Sequence, residues 1–223
     1  SSGIAQCLDM QLRMPPVTND PARATAYMND ALRMVRSVGD RVLEARFLAN
    51  KSVHAYMESD YPRALQCGLE AIAVAEAAGC TGTRDQAVNN VATIYEELGD
   101  PLSAISFYRA SLASAQRSGS KGDVALGYAS LGSAFLALGE LDSALHWSRK
   151  YEEVTRQMPS EAGGAQLWLG KVYSARKEWS KALDHLLKAV VPVADADDFL
   201  TDALEIDLCL GRALLQADEG TLR

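Results

Sequence analysis

No run of apolar residues approaches the roughly 20 needed to cross a bilayer as a helix. That excludes a helical membrane span and leaves a chain that folds in water. The opening stretch, SSGIAQCLDMQLRM, lacks the charged-then-apolar layout of a signal peptide and does not begin with Met. A cytoplasmic setting is therefore expected, or a periplasmic one if a leader was removed ahead of Ser1. Basic charge is short: 22 Lys and Arg stand against 29 Asp and Glu, for a net charge of −7. This excludes nucleic-acid partners held by phosphate neutralisation and docking on an anionic membrane. Cysteines are few and scattered, at Cys7, Cys67, Cys80 and Cys209, with no CxxC pair. The expectation is buried thiols rather than a disulfide framework or a zinc site.

Catalytic signatures are missing as well. His54, His146 and His185 stand apart on separate helical segments, the last two at places expected to face solvent. No Ser or Cys grouping with His and an acid is evident, nor a glycine-rich phosphate loop; Gly163-Gly164 has no strand before it. The run containing Asp195, Asp197 and Asp198 reads as a loop and helix cap, lacking the alternating ligands and central Gly of a calcium loop. No enzyme activity, metal or cofactor is expected.

What is present is repetition. The stretch Leu131–Trp147, LGSAFLALGELDSALHW, reads as a helix, a tight turn at Leu138-Gly139-Glu140, and a second helix. Gly132 and Ala144 lie twelve apart across that turn, and antiparallel helices approach closely only where side chains are small. Leu131, Phe135, Leu138, Leu141 and Leu145 recur at spacings of three and four, forming the apolar seam. The alanine recurs as Ala24, Ala64, Ala104, Ala144 and Ala182, at intervals of 40, 40, 40 and 38. Twelve residues upstream of each stand Leu12, Ser52, Ala92, Gly132 and Gly170. A further pair, Leu210-Gly211, follows Leu169-Gly170 by 41. A fixed period of this length is the mark of a repeat architecture.

First helices are predicted near 3–14, 42–57, 84–98, 123–138, 161–176 and 198–216. Second helices are predicted near 21–37, 61–78, 101–118, 141–157 and 179–191. Asp20, Asp100 and Ser160 are read as N-caps, the first two followed by proline. Gly39, Gly79, Gly99, Gly119 and Gly139 stand where helices must stop. No Pro-, Gly- or Ser-rich linker divides the chain, so residues 1–223 are expected to form a single array. Its repeats fall near 5–44, 45–84, 85–124, 125–162 and 163–203, with a partial one at 204–223.

Leu131-Gly132, Phe135, Gly139 and Ala144, with Leu169-Gly170, Tyr173 and Ala182, resemble the tetratricopeptide repeat (TPR) family. Val91-Ala92, Tyr95, Gly99 and Ala104 repeat the pattern, and the likeness covers nearly all of the chain. The unit around Ser52, Tyr61, Ala64 and Ala71 departs from it at Lys51 and Ala55, where looser packing is expected. The family period is commonly 34; here it is near 40, with the additional residues assigned to the second helix and the inter-repeat loop. This longer form is similar to repeats of kinesin light chains, of polarity adaptors and of bacterial regulators.

The resemblance implies an all-α, right-handed α-α superhelix, a TPR solenoid of five helix pairs plus a final helix. It also implies a ligand groove on the concave face, lined by first helices. Family groove places fall here on Arg46, Asn50, Tyr56, Gln86, Asn89, Asn90, Thr93, Ser130 and Trp168. A carboxamide can both donate to and accept from a peptide unit, so Asn50 and Asn90, 40 apart, would grip an extended backbone. The bland alternatives are solvated asparagines, a Trp168 packed between repeats, and Leu126 and Leu136 as inter-repeat core. Lys and Asn at the fifth and ninth places, needed to clamp a terminal carboxylate, are replaced by Ala49 and Val53, and by Asn89 and Thr93. The expected function is a protein- or peptide-binding scaffold, the interaction or regulatory part of a larger protein. Alternatives are a ligand- or signal-peptide-sensing input domain of a bacterial regulator and an oligomerisation spacer. Homo-oligomers through uncapped end faces are a further expectation.

Overall fold

The computed structural model describes residues 21–189 together with residues 209 and 211. The helices predicted near 3–14 and 198–216, the cap at Asp20 and the side chain of Ser160 lie outside them. The described chain is all α-helical: α1 Pro21–Val38, α2 Arg41–Met57, α3 Tyr61–Ala77, α4 Thr81–Glu97, α5 Pro101–Ser118, α6 Lys121–Ala137, α7 Leu141–Thr155, α8 Pro159–Ala175 and α9 Trp179–Ala189. It divides into two compact units between Ser111 and Leu112. In the first, α2 packs on α1, α3 and α4, and α3 also packs on α4. In the second, α8 packs on α6, α7 and α9, and α7 also packs on α6.

The connections are shorter than the sequence suggests. Residues in the left-handed region recur at Gly39, Ser59, Gly79, Gly99, Gly119 and Gly139, with φ between 60° and 75°. The steps are twenty residues each, and Lys177 takes the same conformation after α8. Turns within a repeat and between the earlier repeats are thus alike, whereas α7 joins α8 through Arg156, Gln157 and Met158 without a left-handed residue. At one, Ser59 N–H donates to Tyr56 O at 2.9 Å and Asp60 N–H to Ala55 O at 2.9 Å. This paired closure satisfies carbonyls that the helix end leaves open. The residue after each left-handed position also starts the next helix. Asp40 accepts from Leu43 N–H at 3.1 Å, Asp60 from Arg63 N–H at 3.2 Å and Asp100 from Ser103 N–H at 3.1 Å. The extra residues of the 40-residue period therefore lengthen both helices, and the expected longer inter-repeat loop does not exist. The cap expected at Ser160 also moves: α8 begins at Pro159, with Met158 at N-cap. Proline needs no N–H bond and its φ suits the first helical position.

Small residues stand where the helices cross. Ala55, Ala64, Ala92, Ala104, Ala144 and Ala182 are fully buried. A Cβ on Gly132 would lie 3.2 Å from Ser148 Oγ, and one on Gly170 would lie 2.6 Å from Leu186 Cδ2. Ser52 Oγ donates to Ala64 O at 2.7 Å, using the same close approach for a hydrogen bond. The α2–α3 crossing is therefore tight, against the looser packing expected from Lys51 and Ala55. Lys51 turns outward, its ammonium 2.8 Å from Asn29 Oδ1. Around the crossings Phe47, Leu48, Ile94, Leu131 and Leu169 are almost wholly buried. Each contributes about 1.5–3 kcal/mol through removal from water.

Candidate functional site

In the first unit, the first helices of consecutive repeats, α2 and α4, lie side by side. Both carry small residues toward their own partner helices, which leaves their other face for one another and for solvent. Between them is a half-open cavity of about 180 Å³, lined by Ser52, Val53 and Tyr56 from α2 and Asn90, Thr93 and Ile94 from α4. Its lining mixes apolar with polar groups. Val53 is 38% exposed at the surface, whereas Ile94 and Ser52 are buried.

Hydrogen bonds hold Ser52, Tyr56 and Thr93 in place. The Tyr56 hydroxyl donates to Glu97 Oε1 at 3.2 Å, joining α2 to α4. Thr93 Oγ1 lies 3.3 Å from Asn89 O and 3.3 Å from the Tyr108 hydroxyl. That hydroxyl donates to Glu96 Oε2 at 2.5 Å. Burial pushes the Tyr108 phenol well above its ordinary range, reinforced by the Glu96 carboxylate. Tyr56 shifts the same way, by burial and by the charge of Glu97. Both phenols therefore stay protonated and remain donors through the neutral range. The Tyr56 and Tyr61 rings lie 5.8 Å apart, which steadies the Tyr56 side chain.

Tyr56, Asn90 and Thr93 are thus brought together among the residues picked from the sequence. Arg46 and Asn50 on α2, with Gln86 and Asn89 on α4, stand outside the cavity lining; Asn50 is half-buried and Gln86 exposed. Ser130 and Trp168 belong to the second unit. Ser130 is half-buried on α6. Trp168 packs against Ala125, Tyr151 and Ala165, with Lys171 Nζ 4.3 Å above its ring. Leu126, read as inter-repeat core, is 51% exposed. Tyr108 and Glu97 escaped the sequence reading, because neither sits at a groove place counted along the first helix. The regular aromatic of the second helix was the available signal for Tyr108.

His185, expected to be solvated, is half-buried and stacks on Tyr173 at 5.2 Å. Its Nδ1 lies 2.7 Å from Gln166 Oε1. Cys67 is buried and Cys80 and Cys209 are half-buried, none of the three in a disulfide; burial pushes the Cys67 thiol up. Among the described residues no three His, Cys, Asp or Glu side chains gather as a metal site would need, and no helix is long and apolar enough to cross a membrane.

Residues 84–157 match the model of the tetratricopeptide repeat family. They are tetratricopeptide repeats. The TPR fold extends beyond them in the likeness to solved structures. BtubC (BKLC) from P. vanneervenii is 18% identical with a TM-score of 0.76, over 84% of this chain and 78% of that one. A signal transduction ATPase with numerous domains and a TPR sensor, from Pyrococcus horikoshii, is 20% identical with a TM-score of 0.73. That match covers 95% of this chain, which spans only 35% of the ATPase. A putative kinesin light chain from Podosopora anserina, with nearly identical TPR-like repeats, is 11% identical with a TM-score of 0.69, over 83% and 90% of the two chains. No curated protein matches the chain. Identities this low carry the fold and no more. TPR helix pairs of this kind are the architecture of a protein-interaction scaffold.

Proposed function

We propose that this chain is a non-enzymatic scaffold that takes an extended peptide along the face formed by its first helices, within a longer interaction or regulatory protein. Residues 1–223 then act as one array of repeats. The observation that carries the reading is the cavity between α2 and α4, where Tyr56, Asn90 and Thr93 converge. Asn90 has a carboxamide that can donate to and accept from a passing peptide unit, whatever that peptide's side chains. Asn50, one repeat earlier, extends the line by a second carboxamide, with Arg46, Gln86 and Asn89 flanking it. Ser130 and Trp168 hold the corresponding family groove places within the second unit, taken by itself.

Selection from a random peptide library on the immobilised chain tests this. Enriched peptides should lose binding by about tenfold or more in the Asn50→Ala/Asn90→Ala double variant, since each lost contact leaves a peptide group unpaired. Unchanged affinity would sink the assignment of the groove. A mass that rises with protein concentration, with no peptide enriched, would favour the oligomerisation spacer instead.

A second reading, a sensory input domain of a bacterial regulator, draws on the Pyrococcus ATPase, whose repeats are described as a sensor. A kinase, nucleotidase or DNA-binding segment in the same polypeptide would favour it.

A further inference from the structure

We infer that the cavity between α2 and α4 is a receptor for one basic side chain, an arginine or lysine, of the partner peptide. The inference rests on the peptide-binding reading of this face and assigns the chemistry of one of its contacts.

Size is the first argument. A ligand site for a cofactor or drug-sized molecule occupies ~300–1,000 Å³. About 180 Å³ is too small for that, and corresponds to roughly six waters at about 30 Å³ each. A single long side chain fits, with its backbone left outside the half-open mouth.

Charge is the second. Glu96 and Glu97 flank Thr93 and Tyr56, and both carboxylates are held by phenol hydroxyls, which are neutral donors. A carboxylate offers about four acceptor positions, so one hydroxyl leaves each with capacity and its full charge. Among the described residues neither takes part in an ion pair. Other carboxylates of the same unit are neutralised: Glu44 by Arg36 and Arg41, and Asp85 by Arg84. The two hydroxyls hold Glu97 against Tyr56 of the lining and Glu96 against Tyr108 behind Thr93, so both carboxylates border the cavity without lining it.

The lining supplies the rest of the fit. Val53 and Ile94 give an aliphatic wall for the methylene stem, as long cations bury their stems and keep their heads near water. The Tyr56 ring offers a face to the cation. The Asn90 carboxamide stands beside them for the peptide unit that carries the side chain. The net charge of −7 attracts such a partner from a distance.

The experiment is an NMR titration of the whole labelled chain with N-acetyl-arginine amide, and with the norleucine and glutamate amides as neutral and anionic counterparts. The arginine probe should shift the amides of Val53, Tyr56, Thr93 and Ile94 saturably. Its affinity should fall roughly three- to tenfold in the Glu96→Gln/Glu97→Gln variant and with added salt. The glutamines still accept from both tyrosines, so unchanged spectra away from the cavity report an intact fold. Norleucine binding as tightly as arginine, shifts that do not saturate, or indifference to the Gln substitutions would each overturn the assignment. Library peptides that depend on Asn90 but carry no basic residue would overturn it while leaving the groove standing. Arginine binding with no enriched peptide would do the reverse.

Discussion

His185 shows how a single side chain is governed by neighbours that its own helix does not reveal. Gln166 Nε2 donates to Glu152 Oε1 at 2.9 Å, which turns Gln166 Oε1 toward His185 Nδ1 and places a proton on that nitrogen. Burial, with the ammonium of Lys188 and the guanidinium of Arg149, lowers the His185 pKa; Glu152 and Asp184 oppose this without reversing it. Above the unfolded value near 6.5 both states are neutral. As pH falls below that value the unfolded chain takes up a proton before the folded chain does, so stability declines. Denaturant midpoints measured from pH 7 to pH 5 should therefore fall more steeply in the natural chain than in His185→Gln. Equal slopes would place the titration elsewhere.

Helix crossings explain why certain glycines cannot be improved. Replacing glycine by alanine within a helix ordinarily gains up to ~1 kcal/mol of propensity. Gly122, in the first turn of α6, has nothing within 4 Å of an added Cβ. Gly122→Ala should therefore raise stability by about 0.5–1 kcal/mol. At Gly170 the same methyl would overlap Leu186, which is fully buried and has nowhere to go. Gly170→Ala should lower stability by about 1–3 kcal/mol, since overpacking outweighs the propensity gain. Urea unfolding of the two variants reads the opposite signs; a stabilised Gly170→Ala would mean the α8–α9 crossing is looser than described.

Across the whole molecule the acidic balance governs association. Net charge keeps copies apart where it is far from zero and lets them approach where it vanishes. With a net charge of −7 at pH 7 and a sequence pI of about 5.0, repulsion should be clear at pH 7.5 and gone near pH 5. Static light scattering should show interparticle repulsion at the higher pH and attraction at the lower. Attraction already present at pH 7.5 would point to a specific self-association surface instead.

The helices were legible in the residues because their information is local. A small residue paired with an alanine twelve later and a glycine at most of the turns recur along the chain, with an Asp cap at Asp40, Asp60 and Asp100, and the described boundaries fall within three residues of those expected. The site was legible only in part. Counting along a repeat finds Asn90, Tyr56 and Thr93, since helical periodicity decides which side chains share a face. It cannot find that Tyr56 reaches Glu97 across 41 residues, or that Tyr108 from a second helix holds Glu96 beside Thr93. Nor could it tell that His185 lies against a neighbouring helix rather than in solvent; for Trp168, packing between helices was one of the two readings that the sequence offered. Those outcomes depend on which surfaces meet after the helices pack, and the meeting partners are set by space and burial rather than by spacing along the chain.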